Sequence, residues 1–521
     1  MTIPKYSSTG LILDRRSALK LIGFTTAAAA ALRTLPGRAA GTPTKGGTLK
    51  IGLAAGKTSD SLDPSTYIDA YMGVLGFALG NCLVEIGPDK KLIPELAESW
   101  TGTNGAKTWI FTMRKGVTFH NGRPLTAADA AWSLNRHIGK DSKSAAKGLL
   151  AGVSSIKADG ETVVIQHEKG DADIPIIMGD FHLTIVPEGT TDWSKFVGTG
   201  PYMLEEFRPG VSFGAKRNPT YWKADRAWVD TVQVVFVTDP TARSNALVSG
   251  EVLAIDKVDT KIVNRLIEMN KFTLVKGVGG RYENVATDTR STPFNNNDVR
   301  EAIKFGVNRK SIVEKIFAGY ASLGNDHPIP ETDPFFNTEL PQRTYDPDKA
   351  KFHLKKAGME GLSISLSTAE VTFPGAVDAA VLIQDAGKAA GIQIDVHREP
   401  NDGYWDNVWM KKPFVMSNWS TRPTPGMMFS LGFACGAPWN ETFFCDDRFT
   451  QLLNAGRVEI DFAKRKQIYW DMQELVAHNN GSVIFAFPTD LDAYAKTVQG
   501  TAPDGVNRMM GSRVAERVWL A

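Results

Sequence analysis

The sequence predicts an α/β protein built from more than one lobe. In the second half of the chain, helical patterns over 346–358 and 374–390 alternate with strand-like runs over 363–367 and 392–396. A strand, a long helix and a second strand imply a crossover connection and a parallel strand pair. The chain has 521 residues, and chains longer than about 300 residues rarely keep a single hydrophobic core. Two or three lobes are therefore expected.

Residue patterns predict further elements along the chain. Trp109, Phe111 and Met113 share one face of a strand over 108–113. Thr126 and Asp129 stand at capping-box spacing and begin a helix through Arg136, although Glu or Gln is preferred at the third position. The Asp-Gly turn at 159–160 predicts a hairpin. The remaining predictions are strands at 47–53, 232–237 and 483–487, and helices at 240–249 and 462–478.

The first forty residues resemble an export leader. Residues 14–20 (DRRSALK) match a twin-arginine motif, and an apolar run follows from Leu21 to Leu32. This run is shorter than the roughly 20 apolar residues that span a bilayer. The pattern predicts a twin-arginine signal peptide over 1–39, cleaved after Ala39, and no lipid anchor because no cysteine lies near that site. A basic cytosolic N-terminus is the alternative.

The charge balance bears on the class of partner. The whole chain carries 59 basic and 57 acidic side chains, a net charge of +2. Six of the basic and one of the acidic side chains lie in the leader, which leaves 53 basic and 56 acidic ones, a net charge of −3. The basic excess belongs to the leader, so nucleic acid is not an expected partner. The sequence shows no cofactor motif, and none is expected.

Several longer strings resemble one protein family. The stretch from Thr108 to Arg136 (TWIFTMRKGVTFHNGRPLTAADAAWSLNR) is similar to the signature of the family 5 extracytoplasmic solute-binding proteins of ABC transporters, the peptide and nickel binder family. Residues 197–202 (VGTGPY) and 218–222 (NPTYW) look like further turns of that family. Residues 293–309 resemble its PF…VRxA…DR helix, with Asn308 in place of the usual Asp. These motifs are chiefly structural, so they specify the fold better than the ligand.

The resemblance implies a two-lobed periplasmic binding protein fold of type II, with an enlarged first lobe and a ligand cleft between the lobes. Lobe I would comprise residues 46–278 and 489–521, and lobe II residues 279–488. It also implies a periplasmic monomer that delivers its solute to an ABC permease and its ATPase. Some peptide binders of the family carry a disulfide at positions matching Cys435 and Cys445, whereas Cys82 is expected to be a buried free thiol.

Enzyme and metal motifs are incomplete in this chain. Residues 52–58 (GLAAGKT) resemble a phosphate-binding loop but have three residues, not four, between the glycines. Ser212 stands in a G-x-S-x-G string, yet its neighbours alternate as a strand instead of turning into a helix. The histidines form no HExxH pair, and no cysteine has a second ligand at metal-binding spacing. Neither an enzyme nor a metal site is predicted; an exported serine hydrolase using Ser212 and an exported scaffold or chaperone are the alternatives.

The segment 402–444 is rich in aromatic side chains. Aromatic rings bury a large area, and the tryptophan N–H orients a guest, so such residues suit an enclosing cleft. Ordinary packing inside lobe II is the alternative interpretation. The candidate ligand contacts in this segment are Tyr404, Trp405, Trp419 and Trp439.

Arg422 is the candidate that bears on the charge of the solute. The resemblance implies that peptide-binding relatives have an Asp at this third position after Trp419, where it pairs with the peptide ammonium. A guanidinium would repel an ammonium and hold a carboxylate or phosphate through two parallel hydrogen bonds. An acidic polar solute is expected, such as a modified oligopeptide or an opine-like conjugate, while oligosaccharides and metal chelates stay open. An ion pair of Arg422 across the lobes is the alternative, and Asp288 is a candidate contact from the opposite lobe.

Overall fold

A computed structural model describes residues 42–67, 70–277, 279–506 and 508–521. The predicted signal peptide, residues 1–39, lies outside the described residues. Among the helices that are described, none combines the length and the apolar character needed to cross a membrane.

The strands and helices are numbered in chain order. The strands are β1 (Thr48–Leu53), β2 (Val84–Ile86), β3 (Leu92–Pro94), β4 (Ala97–Thr103), β5 (Thr108–Met113), β6 (Val153–Asp159), β7 (Thr162–His167), β8 (Tyr202–Arg208), β9 (Ser212–Arg217), β10 (Thr231–Phe236), β11 (Ala254–Ile255), β12 (Phe272–Gly277), β13 (Tyr282–Thr287), β14 (Ala321–Leu323), β15 (Ser363–Thr368), β16 (Gln393–Arg398), β17 (Phe414–Trp419), β18 (Ser482–Pro488), β19 (Asp490–Ala495), β20 (Val498–Gln499) and β21 (Trp519–Leu520). The helices are α1 (Ala70–Leu79), α2 (Ala127–Asn135), α3 (Ile174–Ile177), α4 (Pro240–Ser249), α5 (Val263–Glu268), α6 (Asn297–Gly306), α7 (Arg309–Lys315), α8 (Pro347–Ala357), α9 (Ala376–Ala389), α10 (Tyr404–Asn407), α11 (Pro425–Gly432), α12 (Asp447–Val458), α13 (Phe462–Asn479) and α14 (Val514–Arg517).

The larger of the two main sheets has seven strands in the order β12-β19-β11-β1-β10-β9-β8. β1 runs parallel to both β10 and β11, with Ile51 opposite Val234 on one side and Ala254 on the other. All three side chains are buried in the core, and the alternation within β1 predicts this for Ile51. Because these strands are parallel, their carboxyl ends meet at one edge of the sheet.

The second main sheet has six strands in the order β14-β18-β13-β17-β15-β16. β15 and β16 are parallel neighbours connected through α9, with Ile364 opposite Ile394, which confirms the predicted crossover. β17 is parallel to β15 as well, and it runs antiparallel to β13 with Trp419 opposite Tyr282. Trp419 is the last residue of β17 and therefore stands at the carboxyl edge of the parallel strands.

A smaller antiparallel sheet has the order β4-β5-β7-β6 and is covered by α2. The predicted capping box is confirmed at the start of α2. Asp129 N donates to Thr126 Oγ1 at 3.3 Å, and Asp129 Oδ2 accepts from Thr126 N at 2.9 Å. Trp109 and Phe111 on β5 lie in the core beneath the helix, on the face that their alternation predicts.

The chain passes between the two main sheets twice. On the first pass β12 ends at Gly277 and β13 begins at Tyr282; on the return β18 ends at Pro488 and β19 begins at Asp490. Lobe I denotes the part that contains the seven- and four-stranded sheets, and lobe II the part that contains the six-stranded sheet. The prediction of a mixed α/β protein is confirmed.

Candidate functional site

Trp419 stands where β17 leaves the sheet, and its ring is fixed from two sides. The ring stacks on Tyr282, its neighbour across the β13–β17 pair, with centroids 6.3 Å apart. Its indole N–H donates to Glu441 Oε1 at 3.0 Å. Only 5% of Trp419 is exposed. This residue is therefore chiefly a buried platform that supports the next few residues of the chain.

Arg422 lies on that platform. Its Cζ is 5.7 Å from the ring centroid of Trp419 and 5.7 Å from that of Trp439, distances at which a cation is attracted to a ring face. Nη1 donates to the backbone carbonyls of Ser420, at 3.0 Å, and Thr421, at 3.2 Å. Partial burial lowers the pKa of Arg422 from its ordinary value. Within the described part of the chain, no carboxylate lies within 4.0 Å of its guanidinium.

Glu441 organises the aromatic residues around Arg422. Its buried carboxylate accepts hydrogen bonds from the indoles of Trp419, at 3.0 Å, and Trp409, at 2.6 Å. Ser417 Oγ, at 2.6 Å, and Asn284 Nδ2, at 2.8 Å, also donate hydrogen bonds to this carboxylate. A charged acceptor with four donors holds both indoles in one orientation. Sequence reasoning missed Glu441, because its donors come from three separate segments.

The other predicted aromatic residues differ in their surroundings. Trp439 is 47% exposed and packs edge-on against Trp419 with centroids 6.2 Å apart. Trp405 is 37% exposed and meets Trp409 at 5.8 Å. Tyr404, only 1% exposed, donates its hydroxyl to Met416 O at 2.8 Å, so it is a core residue in this structure. Arg422, Trp419 and Trp439 are brought together; Tyr404 and Trp405 lie on the adjoining α10.

Asp288 is not brought together with Arg422. It follows β13 and lies in the same lobe as Trp419, not in the opposite one. Its backbone N–H donates to Pro413 O, just before β17 begins, whereas Trp419 ends that strand. Six strand residues put the two sites about 20 Å apart. The Asp288 carboxylate accepts from Arg290 Nε and Nη2 at 2.9 and 2.8 Å, a local pair that sequence spacing alone did not reveal.

Cys435 and Cys445 form a disulfide bond with their Cα atoms 4.5 Å apart. The segment that it closes, between two cysteines ten positions apart, carries both Trp439 and Glu441. The bridge thereby limits the freedom of the segment that covers Arg422. Cys82 is buried and is not part of a disulfide, as predicted.

Two buried ion pairs connect the lobes near this site. Lys90 of lobe I donates to Asp333 of lobe II at 2.9 Å. Arg465, on α13 of lobe II, donates to Asp173, which precedes α3 in lobe I. Each of these four side chains is less than 10% exposed. Burial by itself would lower the pKa of Arg465, but the nearby Asp173 carboxylate raises it above its ordinary value.

Asp173 also bonds to the segment that contains Arg422. Thr424, two residues after Arg422, donates its hydroxyl to the Asp173 carboxylate. Gly426 makes this approach possible, since a Cβ there would lie 2.9 Å from Asp173 Oδ2 and 2.6 Å from the hydroxyl oxygen of Tyr469. Thr424, which contacts lobe I, and Arg422, the candidate ligand contact, therefore lie in the same short segment of the chain.

Glu85, Glu95 and Glu516 form the carboxylate cluster that most resembles a metal site in the described residues. Lys223 Nζ donates to all three, at 2.7, 2.7 and 3.0 Å. Burial alone would raise the pKa of Glu516, but Lys223 and Arg513 lower it to about 2. Because protein cations already neutralise the carboxylates, the cluster serves the interior of lobe I and offers no open position to a metal.

Ser212 begins β9 and is followed by strand residues, as its alternating neighbours predict. Its backbone pairs with Val235 of β10 and with Arg208 of β8. The strand-to-helix elbow of serine hydrolases is therefore not formed around this residue.

This chain is similar to solute-binding proteins in both sequence and structure. A family model described as "Bacterial extracellular solute-binding proteins, family 5 Middle" matches residues 91–441. The dipeptide-binding protein of Escherichia coli (strain K12) is 24% identical over 94% of this chain and 96% of its own length. The structure of HbpA2 from Haemophilus parasuis has a TM-score of 0.81 at 21% identity, covering 91% of this chain and 100% of that one. AgaA from A. tumefacien R10, solved with agropinic acid, has a TM-score of 0.69 at 24% identity, covering 91% and 99%.

These similarities establish both the fold and the family. The structural neighbours are two-lobed periplasmic binding proteins, so the expected type II-like architecture is confirmed. The family match covers well over half of the chain, including the motifs at 108–136, 197–202 and 293–309. The chain belongs to the family 5 bacterial extracellular solute-binding proteins, the periplasmic substrate-binding proteins of ABC transporters.

Proposed function

We propose that this protein captures an acidic, peptide-like or opine-like solute in the periplasm and delivers it to an ABC permease and its ATPase. The observation that carries the proposal is Arg422, a half-buried guanidinium between the rings of Trp419 and Trp439 that has no carboxylate partner within 4.0 Å in the described residues. A cation held in this way needs an anion once water leaves the cleft. The solute supplies it.

The chemistry of the neighbouring groups supports an acidic guest. Arginine presents a planar fork that matches a carboxylate with two parallel hydrogen bonds. The indole rings support the flat guanidinium and leave its edge for the guest. The structural neighbour AgaA was solved with agropinic acid, which is consistent with an acidic solute in this fold.

Binding works through lobe closure in this proposal. Lobe I comprises residues 46–278 and 489–521, and lobe II comprises residues 279–488, with the chain crossing between Gly277 and Tyr282 and between Pro488 and Asp490. The solute binds between the lobes and shifts the population toward the closed form, which the permease recognises. The exported chain acts as a monomer after twin-arginine transport, and no bond of the solute is made or broken.

Native mass spectrometry of protein purified from periplasm tests the class of solute, since a retained solute is released and weighed directly. We expect an acidic compound. Titration calorimetry then compares Arg422→Ala with the wild type. The variant should lose about 1.5–3 kcal/mol of binding free energy, the worth of a charged hydrogen bond. Arg422→Lys should recover only part of it, because an ammonium makes no two-pronged contact.

Arg290→Ala is the matched control, since Arg290 is an exposed arginine of lobe II that pairs with Asp288 far from Arg422. It should bind the solute like the wild type. Equal affinity of the wild type and Arg422→Ala for the retained solute, or a retained solute without an anionic group, contradicts the proposal.

A further inference from the structure

A cavity of about 390 Å³ lies between the lobes, beside the residues that directly follow Arg422. Residues 90–92, 172, 173 and 176 of lobe I form one side, and residues 333–335, 423–425, 462 and 465 of lobe II form the other. Much of the wall is apolar, and its larger apolar side chains include Leu92, Ile176, Pro334, Phe335, Pro423 and Phe462. Its size is within the range of about 300–1,000 Å³ that is typical of small-molecule sites.

Each charged side chain at the cavity is already paired with another charged side chain. Lys90 lies 2.9 Å from Asp333, and Arg465 bonds to Asp173. Lys91, whose side chain is largely exposed, lies 2.7 Å from its own neighbour Asp89. Paired charges do not require a charged guest. The part of a ligand that enters this cavity gains most by being apolar.

The cavity adjoins the candidate anion contact. Arg422 lines a crevice of about 10 Å³ that shares Lys90, Asp333, Thr424 and Pro425 with the larger cavity. Pro423, directly after Arg422, is itself part of the cavity wall. The crevice at Arg422 and the larger cavity are therefore neighbours that share these lining residues.

We propose that the solute is an amphipathic carboxylate whose anionic group meets Arg422 and whose apolar arm, a medium-length acyl chain or an aromatic ring, fills this cavity. This inference rests on the proposed function and narrows its class of solute. Walls from both lobes surround the arm, so its burial adds to the free energy of closure. An apolar arm thereby favours the closed form directly.

Calorimetry with N-acetyl-, N-butanoyl-, N-hexanoyl- and N-octanoylglycine tests the inference. Each glycine derivative offers the same carboxylate, and only the arm grows. Affinity should rise by up to roughly fourfold per added methylene while the cavity fills. Arg422→Ala should weaken every member of the series by a similar factor.

Ile176→Trp fills the cavity from lobe I and should remove the dependence on chain length while leaving acetylglycine affinity nearly unchanged. Leu92→Trp is a second variant that fills it from another wall. Ile267→Trp is the matched control, because Ile267 is an exposed isoleucine of lobe I outside the cavity wall. The control should keep the full dependence on chain length.

Three results would overturn the inference. One is equal affinity of the wild type for acetyl- and octanoylglycine; if both then need Arg422, the proposed function stands without the apolar arm. A second is an unchanged chain-length dependence in both Ile176→Trp and Leu92→Trp. The third is that no acylglycine binds. The proposed function is then tested separately, by whether native mass spectrometry identifies the retained solute as an acidic compound.

Discussion

Asp173 and Arg465, which are 292 residues apart in the chain, form an ion pair that is buried between the lobes. Thr424 donates a further hydrogen bond to the same carboxylate. A buried charge that loses its partner is costly, whereas an exposed one is hydrated. This pair therefore favours the arrangement in which the lobes touch, and it connects that arrangement to the segment that holds Arg422.

Replacing Asp173 by Asn should favour separation of the lobes. The amide keeps the shape but leaves Arg465 buried without a counter-charge, a loss of about 3–5 kcal/mol for a pair that stays buried. Separation relieves this cost, because Arg465 then meets water. Small-angle X-ray scattering should record a larger radius of gyration without solute, and calorimetry a weaker affinity.

Arg448→Ala is the control for that variant, since Arg448 lies on the same helical layer but makes an exposed pair with Asp471 at 3.5 Å. Exposed pairs contribute only about 0–1 kcal/mol. Its scattering curve should match the wild type. Scattering and affinity of Asp173→Asn identical to those of the wild type would show that the pair does not bias closure.

Adding one methyl group at Gly426 should disturb the same contact. The Cβ of Gly426→Ala would lie 2.6 Å from the Tyr469 hydroxyl and 2.9 Å from Asp173 Oδ2, so these groups must move. Overpacking of this kind costs about 1–3 kcal/mol. Urea unfolding should show the loss, and Gly148→Ala, whose Cβ meets nothing within 4 Å, should unfold like the wild type. Equal unfolding of both variants would contradict the tight fit.

Glu441→Gln should loosen the aromatic platform. The carboxylate accepts from four donors, whereas an amide has one acceptor oxygen and adds N–H groups that face other donors. Each buried donor left without a partner costs about 1–3 kcal/mol. Urea unfolding and tryptophan emission should both change. Glu360→Gln, at an exposed glutamate, is the control; equal behaviour of the two variants would remove Glu441 from its organising role.

Glu283 should make stability depend on pH. Both carboxylate oxygens are buried without a hydrogen bond, although Arg281 Nη2 lies 3.2 Å from Oε1. Burial raises the pKa of Glu283 from 4.5 to about 8. The folded state thus keeps a proton that the unfolded chain releases, and the resulting stabilisation, complete below about pH 4.5, is lost as pH rises through about 8.

Glu283→Gln stays neutral at every pH and removes this contribution. Between pH 5 and pH 8, the free energy of unfolding should fall less in the variant than in the wild type. The exposed Glu268→Gln is the control and should follow the wild type. Parallel pH profiles for Glu283→Gln and the wild type would show that Glu283 is charged when folded.

Several elements could be predicted from neighbouring residues because their causes are local. The capping box of Thr126 and Asp129, the crossover through α9 and the strand around Ser212 all depend on residues within a few turns or strand positions. The cluster of Arg422, Trp419 and Trp439 could be predicted for a related reason, since its three members lie within a segment of 21 residues. The position of Asp288 relative to Arg422 was harder to predict. The sequence indicates that Asp288 follows a strand, but it does not indicate at which edge of the sheet that strand ends.

By itself, the sequence determined the family, the α/β class and the presence of a cation among tryptophans, because motifs, periodicity and residue type are properties of neighbours along the chain. Only the tertiary structure decided that Glu441 holds two of those tryptophans and that Asp173 reaches Arg465. It alone showed an apolar cavity beside Arg422. The Glu441 contacts depend on how separate segments of lobe II pack together. The ion pair and the cavity depend on how the two lobes meet, which is set by the packing of residues far apart in the chain, for which no local pattern exists.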